Sequence, residues 1–167
     1  MLDKIQNFII KKVFVVSRQP VLLKDLLEAN LLFNEGMHID PAKLNFKFNY
    51  KNLYLIYSLF CFLIFWIIMI ISHELFEKAD FHFSVLATST MTSVVFIGFD
   101  FFRIWARKKI SFIRIKEAWE IHFPYFPYEK YSKPVEKIYE EALKSEIHKK
   151  DLENFVLEKI VSSEFVN

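Results

Sequence analysis

The chain has 167 residues, a net charge of +2, 53% apolar residues and 18% aromatics, with 20 Phe against only 2 Gly. So small a charge leaves no electrostatic footprint for nucleic acid, and two glycines, Gly36 and Gly98, are too few for phosphate-cradling loops. Bulky apolar residues with few turn formers suit a mainly helical membrane chain better than a soluble domain. Cys61, the single cysteine, rules out an internal disulfide and a cysteine-held Zn²⁺, and reads as a packing or lipid-facing residue. Lysine outnumbers arginine 18 to 4, which with the Phe, Ile and Asn usage points to an AT-rich, bacterial genome.

Residues 1–52 are expected to form cytoplasmic amphipathic helices. In 2–16, Leu2, Ile5, Ile9, Val13 and Val16 recur at three- and four-residue steps, the stripe of a helix. With Lys4, Lys11 and Lys12 beside it, two placements compete: flat on anionic lipid, or packed on neighbouring helices. A cleavable signal peptide is not expected, because Asp3 interrupts the leading region, Lys11 and Lys12 break the apolar stretch and no small-residue site follows. Pro20 suits the first position of a second helix, VLLKDLLEANLLF, with Gly36 as the residue that ends it. Asp40-Pro41 signals a third helix, Asp as N-cap and Pro at the first position. Residues 44–50, LNFKFNY, alternate as a strand would, but the signal at Asp40 and the span that follows favour a helix there.

Residues 53–72 read LYLIYSLFCFLIFWIIMIIS, twenty residues without a charge. That length matches a hydrocarbon core of about 30 Å at about 1.5 Å per residue, so it is expected to be the first transmembrane helix and the targeting signal. Tyr50, Tyr54 and Tyr57 lie at its start, where amphipathic rings favour the headgroup level. Residues 84–102, SVLATSTMTSVVFIGFDFF, are less apolar. A second span competes with an amphipathic helix beside the membrane. The span is preferred, because its single charge, Asp100, lies next to the basic run that follows.

Orientation follows from the positive-inside rule. Residues 1–52 hold eight Lys or Arg against five acids, and 103–116 hold six (Arg103, Arg107, Lys108, Lys109, Arg114, Lys116) against none. The connector 73–83 instead holds one Lys against Glu74, Glu77 and Asp80. The expected fold class is therefore an all-α membrane protein, a two-span transmembrane hairpin with helical cytoplasmic N- and C-terminal flanks. The expected location is a bacterial inner membrane.

Residues 103–123 keep helical spacing through Trp105, Phe112, Ile115 and Trp119, so one helix is expected from about Ser84 to His122. Its basic part is a candidate contact for anionic lipid headgroups at Arg103, Arg107, Lys108, Lys109, Arg114 and Lys116. The run Phe-Pro-Tyr-Phe-Pro-Tyr (123–128) cannot continue the helix and is expected to link it to a soluble tail, 124–167, with its aromatics packed on that domain. Pro134 reads as the start of a charged helix. His148–Asp151 reads as a turn before a last helix with Leu152, Phe155, Val156 and Ile160 inward; a continuous helix to Phe165 is the alternative.

No nucleophile–base pair, nucleotide motif or zinc-protease motif is present, so no enzyme, no cofactor and no metal site is expected. His73, Glu74, Asp80 and His82 crowd the connector, but a short polar loop accounts for them. Ser84, Thr88, Ser89, Thr92 and Ser93 place hydroxyls at four-residue steps, which lets helices approach closely or lines a conduit with Asp100 at its mouth; packing is the preferred role. The expected function is a non-enzymatic anchor or assembly subunit whose cytoplasmic helices bind a protein partner or a second copy. The alternative is a homo-oligomeric pore.

Overall fold

The structure, a computed structural model, describes residues 2–77 and 81–165, with side chains at 4–71 and 83–162. Its elements in chain order are α1 (Leu2–Val13), β1 (Phe14–Val16), α2 (Leu23–Asn34), β2 (Phe46–Phe48), α3 (Tyr50–Glu77), α4 (Phe81–His122), α5 (Tyr128–Lys144) and α6 (Leu152–Phe165). The chain divides into two units. One comprises Met1–Val15 and Phe48–Lys108, the other Val16–Lys47 and Lys109–Asn167.

In the first unit α1 docks on the head of α3. Ile10, Val13 and Leu53 are buried, the Val13 carbonyl accepts from the Asn49 N–H at 2.7 Å, and Asn52 Nδ2 donates to the Lys12 carbonyl at 2.9 Å. These bonds take up carbonyls that the end of α1 would otherwise leave bare. The helix is shorter than the 2–16 stripe suggested. The run Phe14-Val15-Val16, rich in β-branched residues, leaves it as β1.

Strands β1 and β2 form a two-stranded sheet. The flanking bonds, Asn49 N to Val13 O and Ser17 N to Asn45 O at 2.8 Å, run antiparallel. This corrects two expectations: the chain is mostly rather than wholly helical, and the segment 44–50 is not helical before Tyr50, where α3 begins. Asp40 does cap, its Oδ1 accepting from the Ala42 N–H at 2.9 Å, but only a turn results. Asn45 ends that turn at φ 55°, a left-handed conformation that Asn tolerates, and the strand begins at the next residue.

Helices α3 and α4 of the first unit run antiparallel, Tyr54 stacking on Phe99 with ring centroids 5.1 Å apart. Most of the expected connector 73–83 is helical, since α3 reaches Glu77 and α4 starts at Phe81. The single helix expected from Ser84 to His122 is found as α4.

The second unit packs α2, the end of α4, α5 and α6 around Leu26, Leu27, Ile115, Trp119, Val135, Val156 and Ile160. Helix α2 starts at Leu23 rather than at Pro20, and no side chain caps it. Its end is a Schellman motif: Met37 N–H bonds the Leu32 carbonyl, and Gly36, at φ 73°, bonds Phe33. Phe123 is buried, and Trp119 Nε1 donates to the Phe126 carbonyl at 2.6 Å, so the Pro-aromatic run is folded onto its own unit while Tyr125 stays exposed. Helix α5 starts at Tyr128, which places Pro134 inside it rather than at its start. An interior proline costs about 3 kcal/mol, offset by the apolar face of Tyr131, Val135, Ile138, Tyr139 and Ala142 that α5 buries. The tail does break before α6, as one of the two expected forms required. Ile147 N–H bonds the Ala142 carbonyl around Glu146, which stands at φ 50°.

Candidate functional site

Among the described residues, two helices are long and apolar enough to cross a membrane. Within Tyr50–Ile71 the most apolar stretch has a mean hydropathy of 2.6 and is 6% buried; within Phe83–His122 it has 1.6 and is 0% buried. At about 1.5 Å per residue, Tyr50–Ile71 is about 33 Å long. The core helix of a soluble protein would be covered along such a stretch. Here Leu59, Phe62, Trp66, Ile70, Leu86, Phe96 and Phe101 all point outward.

The facing seam is narrow. Tyr57, Cys61 and Ile68 on α3 meet Ala87, Met91, Val95 and Gly98 on α4, all half-buried. At one end the Tyr57 hydroxyl donates to the Val95 carbonyl at 2.7 Å, and its ring lies against Phe99 and Phe102 at 5.3 and 5.5 Å. Large side chains hold the rest of the two helices apart and leave two open apolar clefts of about 520 and 480 Å³. Phe65, Ile68, Ala87 and Met91 line the first; Tyr57, Cys61, Ile64 and Trp105 line the second. The seam itself was not singled out from the sequence. The small residues Ala87 and Gly98, eleven positions apart on α4, were its available signal.

The hydroxyl residues expected to pack lie mostly off this seam. Ser84 is half-buried, whereas Thr88, Ser89, Thr92 and Ser93 are exposed, with Thr88 and Thr92 at the edge of the first cleft. Thr88, Thr90, Thr92 and Ser93 each donate to the carbonyl four residues back, at 2.8 to 3.0 Å. This local bonding satisfies the hydroxyls within the helix. From Thr88 to Ser93 the face is therefore small and uncovered, with Thr88, Thr92 and Ser93 satisfied within the helix.

Asp100 stands next to Phe99, level with Tyr54 in the second turn of α3, and pairs with Arg103 at 3.1 Å. The Arg107 guanidinium lies 5.4 Å from the Phe48 ring centre, with its Nε buried and unbonded, and Lys108 is exposed. In the second unit Lys109 is half-buried. There Arg114 is drawn inward: Nε donates to the Leu44 carbonyl at 3.2 Å, a terminal nitrogen meets Glu117 at 2.6 Å, and its side chain is 13% exposed. Lys116 bonds Glu129 and lies over the rings of Phe112 and Tyr128, and that bond holds the Glu129 carboxyl below its ordinary range. Of the six expected lipid-facing cations, these last two are the most committed to protein partners.

The side chains of His73, Glu74, Asp80 and His82 lie outside the described residues. Among the described residues no three His, Cys, Asp or Glu are placed to hold a metal. Comparison with protein-family models, with curated proteins and with solved structures gave no match.

Proposed function

We propose that this chain is a two-span inner-membrane protein with both termini cytoplasmic, acting without catalysis as an anchor or assembly subunit. The observation that carries the reading is the bareness of the two apolar stretches, 6% and 0% buried. Leaving a single Leu, Ile or Phe in water costs about 1.5–3 kcal/mol relative to burial, so surfaces of this extent require lipid or other helices over them. The basic residues at the Tyr50 end of the hairpin and the acids of the connector support the orientation.

The small, hydroxyl-bearing face of α4 supports the assembly role. Inside a bilayer, lipid gives no hydrophobic drive to helix association, and close approach along small residues takes its place. The helices of the second unit supply the protein-binding surface outside the membrane. A pore reading draws on the same exposed face and on Asp100 at its end. It is the weaker reading, because three of the face's hydroxyls, Thr88, Thr92 and Ser93, are bonded to their own helix and do not call for water.

Sided cysteine labelling tests the topology. In a Cys61→Ser background, single cysteines at Asn7 and Asn154 are expected to react with an impermeant maleimide only after the cytoplasmic face is opened. One at Ala79 is expected to react from outside. Labelling of Asn7 or Asn154 from outside, or extraction of the protein from membranes by alkaline carbonate, contradicts the reading.

A further inference from the structure

Helix α1 buries only part of its apolar surface. Ile10 and Val13 face α3, while Ile5 is 50% and Phe8 60% exposed, separated from the buried side by half-buried Ile9. At about 100° per residue, Ile5, Lys12 and Phe8 share one side, and Lys4, Lys11 and Asn7 occupy the next. The Lys12 ammonium lies over the Phe8 ring, 5.9 Å from its centre.

The height of α1 is fixed by bonds already described. Its last carbonyls are held by Asn49 and Asn52, in the residues that open α3 and immediately precede Tyr54. Exposed Tyr50 and Tyr54, the Asp100–Arg103 pair and Arg107 over Phe48 occupy the same end of the hairpin. Two exposed apolar side chains with Lys12 between them and Lys4 and Lys11 on the adjoining side, tied to the mouth of a span, have the form of an interfacial helix.

We propose that α1 is a lipid-seated collar: its Ile5–Phe8 side enters the headgroup–acyl boundary of the leaflet where α3 begins, and Lys4, Lys11 and Lys12 engage anionic headgroups. The proposal rests on α3 spanning the bilayer. A lipid surface is the occupant because apolar Ile5 and Phe8 share the exposed side with the Lys12 ammonium, have Lys4 and Lys11 on the adjoining side, and are tied through Asn52 to the start of α3, the helix that the proposed function seats in lipid. Such a helix seats about 5–10 Å into the boundary. Seated there, α1 fixes the depth and tilt of α3 through Asn49 and Asn52.

The test uses the full chain in nanodiscs, in a Cys61→Ser background. Single cysteines are placed at Phe8, at Asn7 on the water side, and at Leu59 on the outer face of α3, each carrying an environment-sensitive fluorophore. The discs hold neutral phosphatidylcholine with or without phosphatidylglycerol, plus lipid spin-labelled near the headgroup. The label at Phe8 is expected to emit to the blue and to lose intensity to the spin label, more so with phosphatidylglycerol. The label at Asn7 is expected to do neither. Lys4→Glu with Lys11→Glu is expected to reverse the gain from anionic lipid. A Phe8 label that stays red and unquenched while Leu59 is quenched overturns the collar and leaves the span intact. A blue but unquenched Phe8 label means cover by protein, and also overturns it. Leu59 unquenched overturns the spanning reading and the collar with it.

Discussion

The Tyr57 hydroxyl occupies the space that a Cβ on Gly98 would take: such an atom would lie 2.6 Å from it. The hydroxyl reaches past the bare α-carbon to bond the Val95 carbonyl, so the glycine and the hydrogen bond depend on each other. Gly98→Ala gains about 1 kcal/mol of helix propensity but displaces a bond worth about 0.6 kcal/mol or more between membrane helices, with ring displacement added. Alone, the substitution is expected to leave the hairpin no more stable, and in a Tyr57→Phe background to stabilise it by about 1 kcal/mol. Non-additivity in a double-mutant cycle, read by steric trapping in bicelles, checks the coupling.

Gly36 and Glu146 hold equivalent places, each following a helix end at positive φ, 73° and 50°. A non-glycine residue there costs about 1–2 kcal/mol. Glu146→Gly is expected to stabilise the second unit by about 0.5–1 kcal/mol, and Gly36→Ala to destabilise it by about 1 kcal/mol. Nothing lies within 4 Å of a Cβ built on Gly36, so its cost is conformational rather than steric. Hydrogen exchange of α2 and α5 in the full chain separates the two signs.

The second unit is expected to weaken above about pH 10. Burial raises the Tyr139 phenol above its ordinary value, with Glu28 and Asp25 adding repulsion; burial likewise raises Tyr128, aided by Glu129 and Glu136 and opposed by its bond with Ser132. A raised folded value means that the stabilisation is complete below the unfolded value of 10.0 and is lost as pH climbs through the folded one. Tyr139→Phe removes one of the two linkages and is expected to move the alkaline midpoint of the far-ultraviolet signal upward. Glu129 has the opposite sign. Its lowered value makes the Lys116 contact complete above the ordinary carboxyl range and lost as pH falls through the folded value.

Asp100→Asn removes one partner of an exposed pair whose side chains are 63% and 42% accessible. Such pairs contribute about 0–1 kcal/mol. The variant is expected to keep the hairpin's stability within about 0.5 kcal/mol and to leave its assembly state unchanged. Ion conductance that changes with this substitution in planar bilayers supports the pore reading instead.

Local and periodic features were legible from the sequence, and non-local pairings were not. Twenty uncharged residues fix α3, and the unbroken spacing through Trp105 and Trp119 fixes α4 as one helix. The end of α2 could be read from Gly36 because the Schellman motif is local. Strand β2 was missed because its partner β1 lies some thirty residues away, and Asp40-Pro41 signals a turn as readily as a helix. Pro134 misled because burial of five neighbouring α5 side chains outweighs its local cost. The hydroxyl face was seen but not its direction, since spacing alone cannot tell which side of α4 meets α3. That choice falls to Gly98, through the reach of Tyr57 across a contact 41 residues apart.

The most direct test of the anchor-and-assembly account is the native mass of the full chain released from nanodiscs. A monomer, a dimer or a defined complex with a second protein is the predicted result. The dimer is expected to be lost when Thr88 and Thr92 are replaced by Leu. A closed ring of several copies, unaltered by those replacements, would contradict the account and establish the conduit in its place.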